Sequence, residues 1–155
     1  MGRVFIDAMV ESPFRIVQEE IKLLKESTPI IVVDMHAEAT SEKVAMGWFL
    51  DGEVSAVLGT HTHIQTADEH ILPKGTAYIT DVGMAGPYDS VIGRKKEKII
   101  ETFLTGMPTR FELGTEDIEL DAALLEIDEK TGKALSIKRI REKAPGIASK
   151  EDEGA

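Results

Sequence analysis

The sequence predicts an α/β fold: a βαβ unit with parallel strands, then a further strand, a helix and an antiparallel β hairpin. Two observations carry this expectation. Ile30-Ile31-Val32-Val33 and the apolar run at residues 54–58 are separated by one helical segment with short connections, the order of a right-handed parallel crossover. Further on, extended runs at residues 118–127 and 135–141 flank Asp128-Glu129-Lys130-Thr131-Gly132-Lys133, a turn-rich hairpin loop.

Taken in order, Val4-Phe5-Ile6 reads as a short, weak strand. Ser12-Pro13 supplies an N-cap and a proline at the first helical position, with Phe14, Val17, Ile21 and Leu24 at helical spacing behind it. Thr28-Pro29 ends that helix, and residues 30–33, β-branched throughout, predict a strand buried on both faces and ending in Asp34-Met35-His36. Thr40 or Ser41 can cap the next helix, which carries Val44, Ala45, Trp48 and Phe49 and stops at Gly52. A third strand is expected at residues 76–80, ahead of the glycine-rich DVGMAGPYDSVIG. A helix follows over residues 94–104, stopped by Gly106 and Pro108, and residues 109–113 read as extended. The tail at residues 144–155 is small, charged and aperiodic, the composition of a disordered segment.

At 155 residues and 42% apolar, the chain is long enough for one domain with a real core. A net charge of −10 argues against binding to a nucleic-acid duplex or an anionic membrane, since both need a basic face. The absence of cysteine excludes disulfides, thiolate zinc sites and a thiol nucleophile. No apolar run is long enough to span a bilayer, so the expected location is the cytoplasm.

Two of the four histidines, His61 and His63, stand one residue apart directly behind the run at residues 54–58. In an extended chain, side chains at i and i+2 share a side, so both imidazoles can face one point if the strand conformation persists through Thr62. Ligands of open α/β sheets bind outside the carboxyl ends of the strands. His36 closes the preceding strand, so the βαβ unit alone brings three imidazoles to one edge. Neutral imidazole is the commonest metal ligand. Three of them suit zinc with an open position, or half of a dinuclear site. Asp34 and Glu38 flank His36 and suit orienting roles better than direct ligation. Asp81 closes the third strand, and Gly83 behind it would let backbone approach an anion; His70 reads as exposed and inert.

VVDMHAEATSEK (residues 32–43) and GTHTHIQTADEHILPKGTAYITDVGMAGPYD (residues 59–89) closely resemble the YmdB-type metallophosphoesterases of the calcineurin-like superfamily, over about residues 2–142. The resemblance implies a two-sheet α/β sandwich, a dinuclear iron or manganese site, divalent or mixed-valence, and hydrolysis of phosphodiesters such as 2′,3′-cyclic nucleotides. It assigns His36, His61 and His63 as metal ligands; Asp34, Glu38, Thr62, Asp81 and Gly83 are read, from their places beside the histidines and the strand ends, as supporting or substrate-loop positions. The family's other ligands, an aspartate, a Glu-Asn pair and an asparagine followed by a catalytic histidine, come from an N-terminal half. None of those motifs occurs here, and the chain has no asparagine at all. The resemblance therefore implies the C-terminal half of a metallophosphoesterase-like sandwich, with residues 1–143 a partial domain. Such a half holds no confident catalytic group, binds one metal ion or none, and exposes apolar surface to be covered by the N-terminal half or a second copy.

Three other readings compete. A capsule-biosynthesis-type metallophosphatase also pairs a lone histidine with His-X-His, although HAEATSEK favours the first family. A non-catalytic metal-binding or interaction module would explain the missing ligands directly. Metal-dependent amidohydrolases also use His-X-His, but their barrel needs about 250 residues.

Overall fold

The structure, a computed structural model, describes residues 1–6 and 11–145. The Cα packing of the described residues divides them into two compact units, residues 1–6 and 11–83 with 122–140, and residues 84–121 with 141–145.

The first unit opens with α1, Pro13–Leu24, and continues through β1 (Val32–His36), α2 (Thr40–Phe49), β2 (Ala56–Thr60), β3 (His70–Ile71) and β4 (Ala77–Ile79). Their strands form one sheet in the order β1-β2-β4-β3. The expected βαβ unit is present: β1 and β2 are parallel with Val32 opposite Ala56 and His36 opposite Thr60. A second parallel pairing joins β2 to β4, and the two-residue β3, which has no strand-like pattern, runs antiparallel to β4.

One sheet face packs against the helices through Ile21, Met35, Met46, Leu50, Val57 and Tyr78, with Phe14 and Val17 of α1 against them. Fully burying an aliphatic side chain of this size contributes about 1.5–3 kcal/mol, so this cluster holds α1 and α2 to the sheet. The other face presents Ala56 and Ala77, whose small side chains admit Ala134, Leu125 and Ile137 of the C-terminal hairpin. That hairpin is formed by β6 (Ile118–Ile127) and β7 (Ala134–Lys143), and its turn is closed by Asp128 N–H to Lys133 O and Gly132 N–H to Asp128 O.

In the second unit, β5 (Ala85–Pro87) pairs antiparallel with the start of β6, from Ala85 opposite Leu120 to Pro87 opposite Ile118. The helix α3, Lys96–Thr105, ends at Gly106 in the left-handed region at φ 68°. Glycine bears that conformation without a Cβ penalty. Phe103 and Leu104 are 83% and 81% exposed.

Several expectations change. Val4-Phe5-Ile6 is no strand: Val4 and Phe5 form a turn, because the Arg3 and Val4 N–H groups donate to the Glu42 carboxylate rather than to a sheet. The first strand begins two residues later than its apolar run, and it is an edge rather than a doubly buried strand, leaving Val32 48% exposed. The start of α2 has Ala39 at the cap position and no side-chain cap; Thr40 and Ser41 do not cap it. Its buried face runs through Glu42, Lys43, Met46 and Gly47, whereas Trp48 is 56% exposed. Phe49 stacks edge-on against Phe14 at 5.4 Å. Residues 109–113 contribute only an isolated bridge, Leu113 with Arg94. The expectation for the tail falls almost wholly on residues 146–155, outside the described residues, although Ala144 N–H still bonds Ile118 O.

Candidate functional site

Exposure alternates along the end of β1 and beyond it: Asp34, His36 and Glu38 face outward while Met35, Ala37 and Ala39 are buried. The outward row meets the end of β2, where parallel register sets Thr60 beside His36. Thr60 Oγ1 donates to Asp34 Oδ1 at 2.7 Å and lies 3.0 Å from His36 Nδ1. On the other side of that ring, His36 Nε2 is 3.0 Å from His61 Nδ1, with the rings at 85° and centroids 4.7 Å apart. His61 Nε2 is in turn 3.0 Å from Glu38 Oε2.

Four polar contacts connect Asp34, Thr60, His36, His61 and Glu38, while the threonine and two neutral imidazoles bring one hydrogen each and an ionised carboxylate brings none. The row is one positive centre short. A proton on an imidazole supplies it, and so does a cation shared by the two facing nitrogens, since nitrogens 3.0 Å apart can both reach an ion at about 2.0–2.1 Å. The residues therefore fit as two ligands of a metal ion. They do not complete a site: among the described residues no group of three His, Cys, Asp or Glu side chains is arranged to hold a metal.

The extended backbone does not continue through the His61-Thr62-His63 segment. β2 ends at Thr60, and His61 and His63 have φ of 105° and 66°, so the extended alternation expected through Thr62 is broken. Such angles are uncommon for non-glycine residues and cluster at functional sites.

Asp81, Thr62 and Gly83 form a separate knot. Asp81 Oδ2 accepts from Thr62 N at 2.9 Å, Thr62 Oγ1 at 2.7 Å and Lys43 Nζ at 2.9 Å, while Oδ1 accepts from Gly83 N at 3.0 Å. Burial alone would raise the Asp81 pKa, but the Lys43 ammonium and the Thr62 and Gly83 donors outweigh it and hold the carboxyl below its ordinary range. Gly83 thus spends its N–H on Asp81 rather than offering it to an anion. Lys43 also donates to Thr60 O at 3.1 Å, tying the end of β2 to the same carboxylate.

Sequence reasoning missed Thr60, Lys43 and Gln65. Parallel register beside His36 is the signal that could have found Thr60. Lys43 lies three residues before Met46 and seven before Leu50, on the buried face of α2. Gln65 Nε2 donates to Val82 O at 3.2 Å, Ala122 O at 3.0 Å and Ile140 O at 3.3 Å, fastening the histidine loop to the hairpin. His70 is exposed, its Nδ1 2.6 Å from Asp68 O and its ring against Tyr78.

A mixed α/β chain with a histidine pair at the carboxyl ends of adjacent parallel strands is a ligand-site architecture of open sheets. The chain belongs to the YmdB-like protein family, which matches residues 1–140. It is 52% identical over 139 residues to the 2′,3′-cyclic-nucleotide 2′-phosphodiesterase of Bacillus subtilis (strain 168), covering 90% of this chain and 52% of that protein. Among solved structures it is similar to a hypothetical protein from Thermus thermophilus, with TM-score 0.85 and 42% identity over 93% of this chain and 55% of that one. It is also similar to a novel phosphatase from Mycoplasma pneumoniae, with TM-score 0.82 and 41% identity over 89% of this chain and 49% of that one. The chain spans about half the length of the relatives it matches.

Proposed function

We propose that this chain carries the histidine half of a metal-dependent phosphodiesterase site whose substrates are 2′,3′-cyclic nucleotides or related small phosphoesters. The observation that carries this reading is the His36–His61 pair, with facing nitrogens 3.0 Å apart in a row one positive centre short. The name of the B. subtilis relative supports the substrate class.

His36, His61 and His63 would hold the metal, with two iron or manganese ions in the complete site. Bound there, such ions polarise phosphoryl oxygens and bring the pKa of bound water close to neutrality. The chain's own residues keep the ligands in place. Asp34 and Thr60 hold His36, Glu38 faces the outer nitrogen of His61, and the Lys43–Asp81 pair fixes the segment from Thr60 to Thr62. No residue of this chain is assigned as the general acid. The remaining ligands come from outside these 155 residues, either from an N-terminal half or from another chain.

Equilibrium titration with Mn²⁺, alongside hydrolysis of a chromogenic phosphodiester and a 2′,3′-cyclic nucleotide, tests the reading. The expected result is at most one weakly bound ion per chain, lost in His36→Ala and His61→Ala, with little turnover by the chain alone. Binding that survives both substitutions would overturn the assignment of the ligands. Turnover matching a complete dinuclear enzyme would overturn the division of the site. A second reading, a non-catalytic metal-binding or interaction module, is favoured by the lack of a three-ligand group among the described residues. It predicts one ion or none, and no hydrolysis even when the remaining ligands are supplied.

A further inference from the structure

We propose that Thr60 is a positioning residue that, with Asp34, fixes the tautomer of His36, placing its proton on Nδ1 and its lone pair on Nε2. The inference rests on the metal-site reading for its purpose, but its geometry is independent of any metal. Threonine has a single hydroxyl hydrogen, and an ionised carboxylate can only accept. With Asp34 Oδ1 at 2.7 Å, that hydrogen is committed. Thr60 Oγ1 then has only lone pairs to offer the ring nitrogen 3.0 Å away, so this contact is a hydrogen bond only with His36 Nδ1 as the donor. In the neutral ring, Nε2 is consequently bare, and it is the atom that faces His61.

The arrangement is built into the backbone. Parallel pairing sets His36 beside Thr60, and alternation along β1 sets Asp34 on the same outward side as His36. A metal-ligating histidine ordinarily gives its second ring N–H to a carboxylate, a carbonyl or water, which fixes both tautomer and ring orientation. Here a hydroxyl stands between the ring and the carboxylate and passes the preference on. Without the hydroxyl, Asp34 loses its connection to the ring, and the carboxylate still connected to it is Glu38, which through His61 favours the opposite tautomer, with the proton on Nε2.

The direct test is long-range ¹H–¹⁵N correlation of the histidine side chains in the metal-free chain, above the titration range of imidazole. Wild type and Thr60→Ser should both show His36 protonated at Nδ1 and bare at Nε2. The near-isosteric Thr60→Val should lose that preference. A wild-type His36 carrying its proton on Nε2 would overturn the proposal, as would an unchanged tautomer in Thr60→Val. A parallel Mn²⁺ titration reads the consequence. Thr60→Val should weaken binding roughly 10–100-fold, the usual cost of removing such a supporting group, and Thr60→Ser should restore most of it. Equal affinity in wild type and Thr60→Val would also count against the proposal. Absence of Mn²⁺ binding in wild type would sink the metal reading, while the tautomer measurement would still decide the role of Thr60.

Discussion

Lys43 Nζ lies 2.9 Å from Asp81 Oδ2, and both side chains are completely buried. The pair joins the end of the first turn of α2 to Asp81, two residues past β4, and through Thr60 O and Thr62 it holds the segment that carries His61. Removing one member leaves the other as a buried charge, which costs about 3–5 kcal/mol. Urea denaturation should show a loss of that size for Asp81→Asn and for Lys43→Met. Contacting residues are not additive, so the double variant should lose clearly less than the sum. Additive losses would mean that the two charges do not depend on each other.

Stability should fall in acid. Asp81 and Asp68 are both held below the ordinary aspartate value of 3.8: burial opposes ionisation in each, and hydrogen bonds outweigh it, from Lys43 and Thr62 to Asp81 and from Thr66 and Thr80 to Asp68. A carboxyl depressed in the folded state contributes stability above its unfolded pKa, and loses it as pH falls through the folded value. Unfolding free energy should therefore decline progressively below about pH 4. Asp81→Asn should be less stable at neutral pH, with a shallower decline in acid. An identical acid slope in that variant would remove Asp81 from the account.

Gly47 sits inside α2, where alanine would ordinarily stabilise the helix by about 1 kcal/mol. A Cβ at this position would come within 2.5 Å of the Tyr78 ring. Gly47→Ala should therefore destabilise the protein, by about 1–3 kcal/mol for an overpacked core, despite the helix preference. Gly59→Ala should be worse, because its Cβ would lie 1.7 Å from the backbone oxygen of Thr80, which cannot swing aside as a side chain can. Thermal unfolding of both variants checks the order, and a stabilised Gly47→Ala would show that the Tyr78 ring yields.

What the sequence displayed and what it hid follow from how far each interaction reaches. The parallel βαβ unit and the hairpin were legible because periodicity and turn residues are local; residues 118–127 are strand over their whole predicted length. The depth of β1 was not, because four β-branched residues look alike in a central strand and at an edge. The two-residue β3 and three-residue β5 exist through their partners, β4 and β6. At the site, the adjacency of His36 and the His61 segment was readable from strand order. The bend after Thr60 was not, since His-Thr-His is equally compatible with extended and left-handed backbone. Nothing local marks Lys43 as buried, because its partner is 38 residues away.

Mn²⁺ should stabilise the chain through His36 and His61. A ligand that binds only the folded state adds about 2.7 kcal/mol at one hundred times its dissociation constant, enough to move the unfolding midpoint measurably. The shift should vanish in His61→Ala, which removes one of two nitrogens 3.0 Å apart. It should persist in His70→Ala, because the His70 ring belongs to a different contact, with Asp68 O and Tyr78. Differential scanning fluorimetry across a Mn²⁺ series, with Mg²⁺ as an oxygen-preferring control, distinguishes imidazole binding from general screening of the net charge of −10. Equal shifts from both ions, or a shift retained in His61→Ala, would place the cation on surface carboxylates instead of the histidine pair.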